Sequence, residues 1–183
     1  MNILFISLGC DKNLVDSEVM LGLLDKKGYQ IVDSEEDADI IVVNTCCFIH
    51  DAKEESINSI LEMARYKTEG VLKALLVTGC LAQRYKEEII EEIPEVDAVL
   101  GTTSFGDIIK ALDKVFEGKR YLEFKDINAL TEISKKRVLT TGGYYGYLKI
   151  AEGCDKRCTY CIIPKLRGNY RSIPMEQLIS QAE

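Results

Sequence analysis

Short apolar runs of strand length recur along the first hundred or so residues, each followed by a turn signal and a stretch with apolar residues at helical spacing. Ile3 to Leu8 opens the series and runs into Gly9-Cys10. A helix is then predicted from Asp16 to Lys27, with Val19, Met20, Leu23 and Leu24 on one face and Gly28 as its stop. Tyr29 to Val32 predicts a short strand ahead of an acidic loop, Asp33 to Asp39. Ile40-Ile41-Val42-Val43 predicts a buried strand ending at Asn44-Thr45-Cys46, and a helix follows from about Asp51 to Tyr66. Ala74-Leu75-Leu76-Val77 predicts another strand, ending at Thr78-Gly79-Cys80. Tyr85 to Glu92 reads as helix, Pro94 breaks it, Ala98-Val99-Leu100 reads as a short strand, and Phe105 to Phe116 as a further helix. Strands that are apolar on both faces and alternate with helices predict a parallel sheet covered on both sides, the doubly wound α/β class, over residues 1–118.

Residues 119–143 mix polar and charged side chains without a period and predict a connector that packs on the first domain or bridges to the next. From Tyr144 the pattern restarts. Residues 144–150 predict a strand, 151–170 a loop holding three cysteines, and 174–183 the opening turns of a helix with Pro174 near its first position. A strand, a loop and a partial helix cannot bury a core alone, so residues 144–183 are expected to begin a second domain and the chain to be a piece of a longer protein.

Composition narrows the class. With 46% hydrophobic and 29% charged residues, only 3 Pro and no run of about 18 apolar residues, the chain is not disordered, collagenous or membrane-spanning. The 7 cysteines are the anomaly, because 183 residues can bury a core without disulfide staples and the count is odd. Met1-Asn2-Ile3-Leu4-Phe5-Ile6 lacks the basic start of a signal peptide, so a reducing, cytoplasmic setting is expected, where clustered thiols act as ligands.

Cys10, Cys46 and Cys80 each follow a predicted buried strand. In a parallel sheet the carboxyl ends of the strands lie along one edge, where open α/β folds bind ligands, so the three thiols should converge. Three thiolates suit an iron-sulfur cluster with one iron left open. The alternatives are buried cysteines acting as small hydrophobes, and a structural zinc site, which wants four ligands. The single histidine, His50, reads as a cap or surface residue, and Cys47, which points opposite to its neighbour Cys46, as structural.

Cys154, Cys158 and Cys161 have the spacing CxxxCxxC, a loop that can wrap three thiolates around one face of a cubane. A zinc knuckle would need a fourth nearby Cys or His, and an incompletely ligated iron is a site for a substrate or cofactor. CxxxCxxC after a first barrel strand resembles the radical S-adenosylmethionine (SAM) enzymes, and the upstream cysteines narrow the resemblance to the methylthiotransferases. It rests on Gly9-Cys10-Asp11-Lys12-Asn13-Leu14-Val15-Asp16-Ser17-Glu18, on Asn44-Thr45-Cys46-Cys47-Phe48-Ile49 with Ala52-Lys53-Glu54-Glu55-Ser56-Ile57, and on Thr78-Gly79-Cys80-Leu81-Ala82-Gln83-Arg84-Tyr85. It continues through Tyr147-Leu148-Lys149-Ile150-Ala151-Glu152-Gly153-Cys154 and Ile162-Ile163-Pro164 to Arg167-Gly168 and Arg171-Ser172. Asp11-Lys12-Asn13-Leu14-Val15-Asp16 is closer to the Pro-Lys-Asn-Leu-Val-Asp of the branch that modifies an aspartate of ribosomal protein S-twelve than to the Gln-Met-Asn of the tRNA branch, although Asp11 departs from that Pro.

The resemblance implies two 4Fe-4S clusters, one on Cys10, Cys46 and Cys80 and one on Cys154, Cys158 and Cys161. The second would bind SAM at its open iron and yield a deoxyadenosyl radical that removes hydrogen from an unactivated carbon. The first would hold or deliver sulfur, with a second SAM giving the methyl group. The remainder of a partial TIM-like radical SAM barrel would follow. Tyr160 matches an aromatic position that packs near adenine in this superfamily, with a core aromatic as the alternative. Lys165, Arg167 and Arg171 read as surface charge, with SAM or substrate contact as the alternative. Asn13, Asp16 and Ser17 read as loop and helix-start residues. The implied partners are ribosomal protein S-twelve, SAM and an electron donor such as flavodoxin or ferredoxin, with no membrane, and with tRNA as the rival substrate. Charge points the same way: residues 144–173 carry a local +4 and the rest −11 of the total −7, a surface that would repel RNA and attract a basic ribosomal protein. Solvated faces of no functional meaning explain the same charges, and a non-catalytic electron-transfer module is the alternative from another class. The 183 residues alone are expected to be inactive.

Overall fold

The computed structural model describes residues 1–70, 72–130 and 137–183. In chain order its first part runs β1 (Asn2–Ser7), α1 (Asp11–Lys26), β2 (Gln30–Ile31), β3 (Ile40–Thr45), α2 (His50–Thr68), β4 (Ala74–Gly79), α3 (Cys80–Tyr85), α4 (Glu88–Glu92), β5 (Ala98–Leu100), a 3-10 turn (Phe105–Asp107), α5 (Ile108–Phe116) and β6 (Tyr121–Glu123). Six strands form one parallel sheet in the order β2-β1-β3-β4-β5-β6. The alternation of β3 explains both layers. Ile40 and Val42 face α1 and α5, against Val19, Met20, Leu24, Ile108 and Leu112. Ile41 and Val43 face the other way, against Ile60 and Met63 of α2 and Leu81, Ile89 and Ile90 of α3 and α4. Burying a side chain of this size contributes about 1.5–3 kcal/mol, so a sheet covered on both faces follows from strands apolar on both.

Several boundaries differ from the predicted ones. Helix α1 starts at Asp11 rather than Asp16, since the Leu14 amide already bonds the Cys10 carbonyl at 3.0 Å and Asp11 favours the positive end of the helix dipole. The helix predicted over 85–92 becomes two, beginning at Cys80 and interrupted at Lys86, which takes φ +49°. Strand β6 lies within the stretch read as a connector and completes the sheet beside β5. Further along that stretch, 131–136 lie outside the described residues. Beyond them, Val138 N donates to Glu18 O at 3.1 Å and Thr140 N to the buried Glu18 carboxylate at 2.8 Å, which packs this segment on α1.

The last part holds β7 (Ala151–Glu152), α6 (Ile163–Arg167), β8 (Arg171–Ser172) and α7 (Met175–Ala182). The strand predicted over 144–150 does not form. A strand exists only where a neighbour completes its ladder, and among the described residues the pairing here is limited to Ala151 with Ser172 and Glu152 with Arg171, antiparallel, extended by Ile173 N to Ile150 O at 2.9 Å. Tyr144, Tyr145 and Ile150 are exposed. Pro174 sits at the N-cap of α7, as its fixed φ favours. Leu166 of α6 is buried in the core that contains α3, so this part is anchored on the sheet domain.

Candidate functional site

The strand order places the reversal of winding between β1 and β3, where open α/β sheets bind ligands at the carboxyl ends of the strands. Cys10 follows β1 as the N-cap of α1, Cys46 follows β3, and Cys80 follows β4 as the first residue of α3. Two glycines let these ends approach. A Cβ on Gly9 (φ +94°) would lie 2.6 Å from Cys46 Cβ and 2.9 Å from its Sγ, and one on Gly79 (φ +94°) would lie 2.5 Å from Thr45 O. Only glycine tolerates both the backbone region and the contact.

Asn13 ties the three ends together. Its Nδ2 donates to Leu8 O at 2.8 Å and to Thr45 O at 2.9 Å, the carbonyls just past β1 and at the end of β3. Its Oδ1 lies 3.8 Å from Cys80 Sγ. Asn44 Nδ2 donates to Asn13 O and to Ser17 Oγ, both at 2.9 Å, and Ser56 Oγ both accepts from Cys46 N (2.9 Å) and donates to Cys46 O (2.8 Å). Asn13 and Ser17 are therefore structural, but their work is to fix the cysteine-bearing ends rather than to cap α1.

Burial pushes the Cys80 thiol up, against the pull of the neighbouring Arg167, and Cys46 and Cys10 push it further. Cys47 differs. It is 2% exposed, packs in the core with α2, and is pushed by burial and then by Cys80 to about 11. Among the described residues, no three His, Cys, Asp or Glu side chains stand close enough to grip one bare metal ion. A cubane takes one thiolate per iron and needs a wider triangle, so a set of sulfur donors alone, spread over three converging strand ends, fits a cluster better than zinc. His50 lies on the surface at the start of α2.

Cys154, Cys158 and Cys161 line one loop between β7 and α6. Cys154 and Cys161 are half-buried and Cys158 is exposed. Cys161 N bonds Cys158 O and Cys154 N bonds Gly168 O, each at 3.0 Å. A cavity of about 580 Å³ opens on Cys158 and Cys161 and is lined also by Arg157, Tyr160, Pro164 and Asn169. Tyr160 is 88% exposed at this cavity, and is therefore no core aromatic.

Between the two cysteine sets lies an ionic cluster that sequence reasoning missed. Arg167, read as surface charge, is 5% exposed; its Nη1 pairs with Asp16 Oδ2 at 2.7 Å and Glu152 Oε2 at 3.1 Å, and its Nη2 donates to Asn13 Oδ1. Lys149 Nζ joins Asp16 and, at 3.0 Å, Glu152. Burial would raise the Glu152 carboxyl, but Arg167, Lys149 and Lys12 outweigh it and hold it at about 2. Asp16 does not cap α1; it stands a turn and a half inside the helix. The available signal was its position, since Asn13, Asp16, Ser17, Met20 and Leu24 share one helix face. Lys165 is exposed and Arg171 half-buried, bonding Asn169 O at 2.7 Å. The local +4 is thus partly internal, because Lys149 and Arg167 spend their charge on Asp16 and Glu152.

Residues 2–101 match the family model described as uncharacterized protein family UPF0004. The chain belongs to this family. All three cysteines of the first set lie within the UPF0004 match. Over 183 residues the chain is 68% identical to a protein named ribosomal protein uS12 methylthiotransferase RimO from Lachnoclostridium phytofermentans, covering 100% of this chain and 42% of that relative. Proteins of the same name from Thermoanaerobacter sp. and Clostridioides difficile are 52% and 51% identical, covering 100% and 97% of this chain and 42% and 40% of theirs. This UPF0004 chain spans about two fifths of the length of the curated relatives it matches. No helix among the described residues is long and apolar enough to cross a membrane.

Proposed function

We propose that the chain is part of a radical SAM methylthiotransferase that adds a methylthio group to the β-carbon of an aspartate in ribosomal protein S-twelve. One observation carries the reading: two sets of three cysteines, one at the carboxyl ends of β1, β3 and β4 and one in a single loop, in a chain 68% identical over its whole length to a protein named for that activity. Cys10, Cys46 and Cys80 would hold one 4Fe-4S cluster and Cys154, Cys158 and Cys161 the other, each leaving an iron free for a small molecule. When bound, the clusters and SAM supply the one-electron and sulfur chemistry that side chains cannot.

The chain's own residues position that chemistry. Asn13, Ser56 and the two glycines hold the first three thiols at the sheet edge. The exposed Cys158 and Tyr160 border a cavity that would take SAM, where Tyr160 would offer a face for adenine. The acidic balance outside residues 144–173 suits a basic ribosomal protein and disfavours tRNA. A flavodoxin or ferredoxin would deliver the electron, in a cytoplasmic setting. The 183 residues alone, with only a two-stranded β7-β8 ladder beside the second cysteine loop, would not turn over.

The test is to incubate the full-length enzyme, SAM, a reductant and a sulfide source with ribosomal protein S-twelve or with tRNA, and to search each by mass spectrometry for an added methylthio group. Addition to an aspartate of the ribosomal protein is expected. Modified tRNA beside untouched ribosomal protein would overturn the substrate, and complete four-protein ligation of both clusters by spectroscopy would favour an electron-transfer module.

A further inference from the structure

Arg167 belongs by sequence to the second cysteine loop, six residues after Cys161, yet its side chain ends inside the first domain. It holds Asp16 and Glu152 through Nη1 and Asn13 through Nη2. The Asn13 oxygen that accepts from Arg167 is the one 3.8 Å from Cys80 Sγ. Two buried cations, Lys149 and Arg167, face two buried carboxylates. Lys12, 3.5 Å from Glu152 at the half-exposed rim, adds a further positive charge. A buried ion cluster holds only where each charge is met, and here the Arg167 guanidinium is shared between two carboxylates and the Asn13 oxygen beside the Cys80 sulfur.

We propose that Arg167 is a positioning residue of the first cluster site, holding the Asn13 oxygen beside the Cys80 sulfur and setting the cluster's potential through its buried positive charge while it locks the second cysteine loop onto the first. This rests on the reading of Cys10, Cys46 and Cys80 as ligands. Hydrogen bonds to cluster sulfurs and nearby positive charge favour the more negative, reduced state and so raise the potential.

A full-length parent with Cys154, Cys158 and Cys161 replaced by alanine isolates the first site. After anaerobic reconstitution, the parent and its Arg167→Gln and Arg167→Lys derivatives are compared by iron content, electron paramagnetic resonance and redox titration, with circular dichroism as the check on folding. The expected result is a more negative midpoint potential and an altered spectrum for Arg167→Gln, with Arg167→Lys between it and the parent. Equal potentials and spectra in all three would overturn the inference and leave the ligands intact. A parent without iron would overturn the ligand reading and the inference with it. If Arg167→Gln does not fold, the Lys variant decides: a shifted potential supports the role and an unchanged one refutes it.

Discussion

Replacing Gly9 with alanine should destabilise the sheet domain through one specific contact. At φ +94° an alanine carries a backbone cost of about 1–2 kcal/mol. Its Cβ would stand 2.6 Å from Cys46 Cβ, where carbon atoms in contact prefer roughly 3.5–4 Å, so one strand end must retreat by about 1 Å. Cys46 Cβ is fixed to a backbone held on both sides by Ser56, and Asn13 Nδ2, 3.2 Å from the new methyl, is committed to Leu8 and Thr45. Overpacking of this kind costs about 1–3 kcal/mol. The control is Gly28→Ala, at φ +86° with nothing within 4 Å, which shares the backbone cost and the entropic gain of the unfolded chain but not the clash. Urea unfolding of the 183-residue chain compares them. With a slope of about 1–3 kcal/mol per molar, the excess of about 2 kcal/mol for Gly9→Ala moves the midpoint roughly 1 M below that of the control. Equal midpoints would refute the close approach of the β1 and β3 ends on which the first cysteine set depends.

Asp16→Ala leaves Lys149 and Arg167 with one carboxylate between them and should cost about 3–5 kcal/mol in thermal or urea unfolding. Asp11→Ala, in the first turn of the same helix, should lose only about 0.3–1 kcal/mol, and similar losses for the two would contradict the buried cluster. In the metal-free chain, alkylation followed by peptide mass spectrometry should label the exposed Cys10 and Cys158 first, with Cys47 protected until unfolding by its burial and a thiol at about 11. Early labelling of Cys47 would count against its place in the core.

Much of the fold was legible because the sheet is buried on both faces. Ile40 to Val43 and Ala74 to Val77 are uninterrupted apolar runs, and such runs between amphipathic helices leave few arrangements open. The convergence of Cys10, Cys46 and Cys80 on one edge followed from topology, since parallel strands share their carboxyl ends. Strand β6 escaped because Tyr121–Glu123 is a short, half-buried edge whose apolar signal is a single Leu122. The strand expected over 144–150 failed for the opposite reason, an apolar run for which the described residues supply no pairing strand. The ionic cluster was illegible because charged residues on a sequence read as solvent-facing by default. The helix face shared by Asn13, Asp16 and Met20 hints that Asp16 is buried but not what meets it, and only packing brings Lys149, Glu152 and Arg167 to it.

Iron and sulfide content after anaerobic reconstitution of the full-length protein tests whether two independent clusters sit on the two cysteine sets. About eight irons per chain are expected, falling to about four when Cys10, Cys46 and Cys80 are replaced together and to about four when Cys154, Cys158 and Cys161 are. Replacement of Cys47 should leave the content unchanged. Loss of all iron from either triple variant, or retention of all of it, would contradict two independent clusters.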